Sequence, residues 1–386
     1  MRIVADENIP ALESLWGGEC EVITLPGREI RRHHLLRADA LLVRSVTTVD
    51  AGLLSGSAVR FVGSATAGTE HVDKAWLDQA GIAFANAPGA NANSVVEYVL
   101  CAIAAVDDYL EQLLAGARVG IVGGGHVGSA LASRLAALGI DTLVCDPWLD
   151  QRALPHAAVL DDVLRCEVVC LHPELTDRQP WPSFHLLDRQ RLAQLKAHQL
   201  IVNASRGAVI DNAALLNRLF EPDAPAVVLD VWEQEPAVNA DLLARVRLGS
   251  AHIAGYSLDG KVLATRMLRV AMEERFATLS RSQGVDPLPE REPLRLDHAA
   301  GPADVLRQLL AASYGIEEDD QLLRAATFGL EPGAAADNFD RLRKHYAQRR
   351  ELAGRRVVLA RHLDSWRPLV SAIACVPSNV ESDNAD

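Results

Sequence analysis

Long apolar runs are missing from this chain of 386 residues. No stretch approaches the roughly eighteen uncharged apolar residues that a helical membrane span requires, so no membrane partner is expected. The opening MRIVADENIP carries acids where a secretory leader has its apolar stretch, and a cytoplasmic location is the expectation. Cysteine is scarce. Cys20, Cys101, Cys145, Cys166, Cys170 and Cys375 are too few for a disulfide framework in a chain of this length. Cys166, Cys170 and His172 have ligand chemistry, but they lie in CEVVCLH, a buried-strand pattern with no CxxC pair and no fourth ligand. No metal is expected. Positive charge is also in deficit: 38 Lys and Arg against 51 Asp and Glu leave a formal charge of −13, which argues against nucleic acid as a partner. An anionic ligand would therefore need a local cluster of cations and N–H donors, because the overall field repels it.

What is present is an alternation of strands and helices, in a chain long enough for two or three domains. RIVAD, ALLVRS, VRFVGSATAG and IAFANAPG read as strands, with amphipathic or polar connections such as IPALESLWG and KAWLDQAG between them. That alternation implies a doubly wound parallel sheet with ligands at the carboxyl ends of its strands. NANSVVEYVLCAIAAVDDYLEQLLAG opens with capping Asn and Ser residues and reads as one long buried helix. A second series of strands follows, in VGIV, TLVCD, EVVCLH, HQLIVNAS, APAVVLDVW and VRLGSAHIAG, and then the helical GKVLATRMLRVAMEERFATLS. SQGVDPLPEREPLRL reads as a linker, three helical patterns and the strand-like RRVVLA come after it, and the final CVPSNVESDNAD reads as frayed.

The expected fold class is α/β. Two Rossmann-like or flavodoxin-like βα domains with doubly wound parallel sheets are expected, plus a C-terminal α+β domain. The boundaries are 1–92 with 253–285 for a substrate-binding domain, 93–252 for a dinucleotide-binding domain, and 286–386 for the C-terminal domain.

Gly123-Gly124-Gly125-His126-Val127-Gly128 fits GxGxxG, follows a strand and opens a helix. About twenty residues on, the next strand ends at Asp146. Gly123, Gly125 and Gly128 permit the tight turn, close approach to a pyrophosphate, and close helix–strand packing. The helix N-terminus offers N–H groups and a positive dipole to phosphates. Asp146 suits ribose hydroxyls and repels a 2′-phosphate, so NAD is expected rather than NADP. His126 and Val127 fill the variable positions of the turn.

Three further strand ends carry Arg206 (in VNASRGAVID), Asp230 and Glu235 (in LDVWEQEP), and His252 (in SAHIAG). A carboxylate paired with an imidazole fixes its tautomer and makes it a proton carrier near neutral pH. An Arg can grip a substrate carboxylate bidentately. Together with the glycine turn, these groups suit hydride exchange at a carbon that bears a hydroxyl.

VGIVGGGHVG, NASRG, LDVWEQEP and SAHIAG, with GTEHVD and NAPGANANSVVEYVL before them, resemble the D-2-hydroxyacid dehydrogenases over nearly all of residues 40–275. The resemblance implies that Arg206 orients substrate, Glu235 supports the imidazole, and His252 is the acid/base. It implies cofactor contacts at Ser205, Arg206, Gly207, Asp230 and Gly255, with Asp230 beside the nicotinamide. Tyr256–Lys261 and the C-terminal hundred residues resemble a branch acting on a four-carbon 2-hydroxy acid phosphate in pyridoxal phosphate synthesis. In that branch the C-terminal domain supports homodimerisation, and Ser45, Thr66 and Tyr256 match substrate contacts. Arg44 and Lys261 join these candidates because a phosphate needs cations. His71 and His126 read as structural.

The chain departs from the family at Leu171-His172-Pro173-Glu174-Leu175, where Thr-Pro is usual, which removes a hydroxyl expected near the cofactor. The alternatives are a phosphoglycerate or broad hydroxyacid dehydrogenase, or an NAD-sensing corepressor-like binding protein on the same fold. The C-terminus lacks the βαββαβ pattern frequent in phosphoglycerate enzymes. The acidic charge and the Tyr256–Lys261 cluster count against the corepressor.

Overall fold

The computed structural model describes residues 1–281 and 288–379. The chain divides into two compact units, Met1–Asn91 with Ser257–Glu290 and Ala92–Tyr256 with Arg291–Asp386.

The first unit holds five parallel strands, β1 (Arg2–Asp6), β2 (Glu21–Leu25), β3 (Ala40–Val43), β4 (Phe61–Ser64) and β5 (Ala83–Asn86). Their order is β2-β1-β3-β4-β5, the doubly wound arrangement of the flavodoxin-like kind. Every residue of β3 and β4 is buried, as expected of strands covered on both faces. β2 was not among the expected strands. It lies at the sheet edge, and its residues are only partly buried or exposed, so CEVITL carries no continuous apolar run. The Leu258–Arg275 helix begins at Ser257, whose hydroxyl accepts from Gly260 N at 2.9 Å. It packs Leu268 and Met272 into a core with Trp16, Phe61 and Phe276.

The second unit holds β6 (Val119–Val122), β7 (Thr142–Cys145), β8 (Val168–Leu171), β9 (Leu200–Asn203), β10 (Ala226–Leu229) and β11 (Leu248–Gly249). All pairings are parallel, in the order β11-β10-β9-β8-β6-β7, and a bridge from Val144 to Ala157 extends the β7 edge. The strand order reverses between β6 and β8, which makes the crevice above them the ligand position of such a sheet. The helix expected over 91–116 is in fact two, Ala92–Ala105 and Tyr109–Leu114. Asp107 between them adopts φ 45° and binds Arg247 through two hydrogen bonds of 2.6 and 2.9 Å, so the helix cannot run on.

Residues 291–379 belong to this second unit. Three parallel strands, β12 (Leu294–Leu296), β13 (Arg356–Leu359) and β14 (Val376–Asn379), form a separate sheet in that order. β14 corrects the expectation of a frayed tail over its first residues: Arg356 and Val357 pair with Val376 and Pro377. The rest of that tail, 380–386, and residues 282–287 of the expected linker lie outside the described residues. Helices Pro302–Ala311, Ile316–Thr327 and Pro332–Lys344 connect β12 to β13. Asp320 accepts from Gly249 N at 2.7 Å, and Arg324 donates to the carbonyls of Leu243 and Val246. This segment is thus hydrogen-bonded to the edge of the six-stranded sheet. Among the described residues no helix is long and apolar enough to cross a membrane.

A buried carboxyl joins the Ala92–Ala105 helix to this C-terminal segment. Glu97, fully buried, accepts from Leu352 N at 2.6 Å and from Ser313 Oγ at 2.8 Å. Burial, reinforced by the charge of Glu351, pushes its pKa from 4.5 up to about 7, against the opposing effect of Ser313, Arg349 and the Leu352 N–H. The folded protein therefore retains a proton that the unfolded chain has released over that interval, and stability falls as pH rises through it. Glu97→Gln should abolish this slope: relative to the variant, the wild type should lose on the order of 3 kcal/mol between about pH 4.5 and pH 7. Denaturant unfolding at a series of pH values measures it, and parallel curves for the two proteins would refute it.

Candidate active site

The second unit assembles most of the expected site residues at the carboxyl ends of its strands. After β6 the chain turns through Gly123, which has φ 95°, a conformation disfavoured for residues with a Cβ. A Cβ there would lie 2.6 Å from the His172 carbonyl carbon and Pro173 N, and one on Gly128 would lie 1.9 Å from Gly123 O. Both positions therefore require glycine. Gly125 and His126 are exposed at the start of the His126–Ala137 helix, and Val127 is partly buried behind them. Asp146 follows β7, and its carboxylate accepts from Gly124 N at 2.9 Å and Trp148 N at 2.9 Å. The turn thus offers glycine backbone at a helix N-terminus and a carboxylate beside it, which fits a dinucleotide's pyrophosphate and ribose.

The β9 end is organised by Asn203. Its Oδ1 accepts from Ser205 N and Ser205 Oγ, and its Nδ2 donates to Arg206 O. Arg206 is partly buried, and its Nη1 donates to the Ser205 carbonyl at 2.8 Å. Gly207 passes the β10 loop so closely that a Cβ would lie 1.9 Å from the Trp232 carbonyl carbon.

Asp230, at the end of β10, is 1 % exposed. Its Oδ1 accepts from Ser250 Oγ and Ile253 N, both at 2.7 Å, and its Oδ2 from Ala254 N at 3.0 Å. The Tyr98 hydroxyl donates to Ser250 Oγ at 2.8 Å, and Trp232 Nε1 donates to Ser250 O at 2.9 Å. These bonds fix the loop in which His252 takes φ 55°, a left-handed conformation that costs a residue with a Cβ about 1–2 kcal/mol. His252 Nδ1 donates to Glu235 Oε2 at 2.7 Å, so its Nε2 is the basic nitrogen. Glu235 also accepts from Trp232 N at 2.9 Å. Burial alone would raise the Glu235 carboxyl, but the hydrogen bond and charge of His252, the Trp232 N–H and the Arg343 charge together hold it below its ordinary value. Gly255 and Tyr256 follow on the same loop, both partly buried.

The remaining candidates lie in the first unit. Arg44 and Ser45 follow β3, partly buried and exposed respectively, and Lys261 sits in the first turn of the Leu258–Arg275 helix. Thr66 follows β4. Its hydroxyl donates to Gly68 O at 2.8 Å and lies 2.7 Å from Ser64 Oγ, which is in turn 2.9 Å from His71 Nε2. His71, its pKa lowered by burial, is thus the anchor of a chain that orients Thr66.

Cys166 and Cys170 are buried in or beside β8, and His172, just after it, is partly buried. Desolvation pushes Cys166 up to about 11 and Cys170 up as well, and holds His172 down to about 4. Both ring nitrogens of His172 are buried without a hydrogen-bond partner among the described residues. Pro173 stands where the hydroxyl was expected and offers no backbone N–H either, while Glu174 takes the place of the usual proline.

Four contributors carry no local sequence signal. Tyr98 lies inside an apolar helix, Ser250 reads as a strand residue, and Arg343 and Arg349 belong to the C-terminal segment. Arg349 is buried and donates to the carbonyls of Ala254, Tyr256 and Ser94 at 2.7, 3.1 and 3.1 Å. The C-terminal segment therefore braces the His252 loop. His185, Asp211 and Glu233 also converge, with candidate ligand atoms within 4.8 Å of one another. His185 Nε2 lies 2.7 Å from Glu233 Oε1, while Asp211 and Glu233 accept from backbone at the start of the Asn212–Arg218 helix.

A glycine turn with a ribose-side acid, and an imidazole–carboxylate pair at neighbouring strand ends, define a nicotinamide-dependent dehydrogenase of hydroxy acids. The family model for the D-isomer specific 2-hydroxyacid dehydrogenase NAD-binding domain matches residues 101–254, and a domain of unknown function matches 287–366. The erythronate-4-phosphate dehydrogenase of Cellvibrio japonicus is 43% identical over 374 residues, covering 95% of this chain and 97% of that protein. The enzyme of the same description from Pseudomonas syringae is 43% identical over 380 residues, covering 97% and 100%. NAD-bound 3-phosphoglycerate dehydrogenase from Entamoeba histolytica shares the fold, with a TM-score of 0.60 at 21% identity over 72% of this chain and 95% of that one. The chain belongs to the erythronate-4-phosphate dehydrogenase family, within the D-isomer-specific 2-hydroxyacid dehydrogenases. Its cofactor is NAD.

Two outcomes follow. Gly128→Ala should weaken NADH binding by at least about 100-fold, since the methyl would displace the turn that holds the pyrophosphate; fluorescence titration measures it, and wild-type affinity would contradict the assignment. Glu235→Gln should destabilise the protein at pH 6–7. Because the Glu235 carboxyl is held below its ordinary value, this gap should be full near neutral pH and should narrow only as acidification protonates wild-type Glu235, below the ordinary carboxylate range. A gap that does not narrow with falling pH in unfolding curves would contradict the pairing.

Proposed function

We propose that the protein catalyses NAD-dependent oxidation of 4-phospho-D-erythronate to 2-oxo-3-hydroxy-4-phosphobutanoate, a step of pyridoxal 5′-phosphate synthesis. The observation that carries this reading is the His252–Glu235 pair at 2.7 Å on a loop held by Asp230, in a chain 43% identical over nearly its whole length to enzymes named for this substrate. Bound NAD supplies the hydride acceptor. His252 Nε2 takes the proton of the C2 hydroxyl, and the Glu235 carboxylate stabilises the imidazolium that results. Arg206 holds the substrate carboxylate by charge-assisted hydrogen bonds. Thr66 in the first unit, and Ser45 and Arg44 near the end of β3, are assigned to substrate, with Tyr256 and Lys261.

In this reading 1–92 with 253–285 binds substrate, 93–252 binds NAD, and 286–386 supports a homodimer. Exposed Leu322, Phe328 and Leu330 in that last segment are consistent with a partner surface. The acidic balance argues against a nucleic-acid partner, and the enzyme is read as cytoplasmic.

NADH formation followed at 340 nm distinguishes the readings. kcat/KM for 4-phospho-D-erythronate should exceed that for 3-phosphoglycerate or D-lactate by about 100-fold or more. Equal rates would overturn the substrate assignment, and NADH binding without turnover on any hydroxy acid would favour a sensor. His252→Ala should lower kcat by roughly 100- to 10,000-fold, and near-normal turnover would exclude His252 as the base.

A further inference from the structure

Arg343 is the exception among the arginines of the C-terminal helices that reach other parts of the second unit. Arg324 pairs with Asp320 at 2.7 Å, Arg307 pairs with Glu111, and Arg349 donates to three carbonyls. Arg343, near the end of the Pro332–Lys344 helix, makes no ion pair among the described residues. Its Nε is buried and has no hydrogen-bond partner among them. Its Nη2 donates to the Tyr256 hydroxyl at 3.3 Å, and its guanidinium carbon lies 5.9 Å from the centroids of both the Tyr256 and Phe339 rings.

A buried guanidinium N–H without an acceptor carries a desolvation penalty that a bound anion would remove. In a chain with a formal charge of −13 there is no shortage of acids, yet among the described residues none forms an ion pair with it. The position is close to the chemistry. Tyr256 is four residues past His252, and the charge of Arg343 reaches Glu235 strongly enough to help hold that carboxyl down. Arg206 lies on a different loop, after β9. Arg206 and Arg343 are thus cations on two different segments, which suits a ligand with two separated anionic groups.

Resting on the substrate reading above, we propose that Arg343 and Tyr256 together bind the phosphate of the substrate, so that the C-terminal segment determines specificity for a phosphorylated acid. The guanidinium presents Nε and Nη donors in one plane, the geometry that phosphate oxygens accept bidentately, and the Tyr256 hydroxyl adds a third donor.

The test uses the full-length enzyme with NAD and the variants Arg343→Ala, Arg343→Lys and Tyr256→Phe. The ratio of kcat/KM for 4-phospho-D-erythronate to that for unphosphorylated D-erythronate should fall by about 100-fold in Arg343→Ala, mainly through KM, with partial retention in Arg343→Lys. An unchanged ratio overturns the proposal. So does an equal loss on both acids accompanied by a shifted acid limb of the pH profile, which would make Arg343 a positioning residue for Glu235. Calorimetric titration with inorganic phosphate tests the same site without turnover. Phosphate should bind the wild type and bind Arg343→Ala at least about 10-fold more weakly; equal binding, or none to the wild type, overturns the assignment. If the wild type binds phosphate through Arg343 but does not prefer 4-phospho-D-erythronate, the substrate reading fails while the anion site stands. Should Arg343→Ala not fold, Arg343→Lys and Tyr256→Phe carry both measurements.

Discussion

The catalytic loop depends on the carboxylate of Asp230. Its two oxygens accept three hydrogen bonds, from Ser250 Oγ, Ile253 N and Ala254 N, and its main-chain carbonyl accepts the N–H of His252. All the donors belong to one five-residue stretch that flanks the histidine. A buried carboxylate is expensive unless every acceptor position is used, and here the loop supplies the donors that make its burial tolerable. In return the loop is confined to one conformation, including the left-handed backbone at His252. The imidazole thereby reaches Glu235 without any flexible element intervening. Asp230 is, in geometric terms, the organiser of the His252 loop.

That arrangement is braced from two sides. Tyr98 reaches Ser250 from the buried Ala92–Ala105 helix, and Arg349 reaches Ala254 and Tyr256 from the C-terminal segment. The same segment meets the helix again at Glu97, whose proton it keeps by burial. Residues 291–379 are therefore part of the packing around the His252 loop, and an assembly role would be additional to this. Conformational precision of this kind matters because proton transfer and hydride transfer both fall steeply with small displacements of the reacting groups.

The cofactor end is fixed by sterics more than by polar contacts. Gly123, Gly128 and Gly207 each leave no space for a Cβ, with approaches of 2.6, 1.9 and 1.9 Å to neighbouring backbone. Asp146 is held by the glycine turn's own N–H, so the ribose-side acid and the phosphate-side backbone form one rigid element. Just after β8, Pro173 offers no N–H, and both ring nitrogens of His172 are buried without a hydrogen-bond partner among the described residues.

The sequence by itself determined the class of the fold and the chemistry. Continuous apolar strands separated by helices can be covered on both faces only in a doubly wound parallel sheet, and Gly123 to Asp146 has one compatible use within it. Arg206, Glu235 and His252 were legible as candidates because each lies in the loop that follows a strand, a position at which spacing along the chain translates into proximity in space. Local pattern failed where the cause was remote. β2 is an edge strand without an apolar run, the helix break at Asp107 depends on Arg247, and β14 is ordered by pairing with β13. Tertiary structure alone decided that Tyr98, Arg343 and Arg349 reach the catalytic loop, since they lie far from it along the chain and within ordinary helical or polar surroundings. Hydrogen bonds between distant segments form only once the sheets and helices have packed, so no local signal in the sequence marks them.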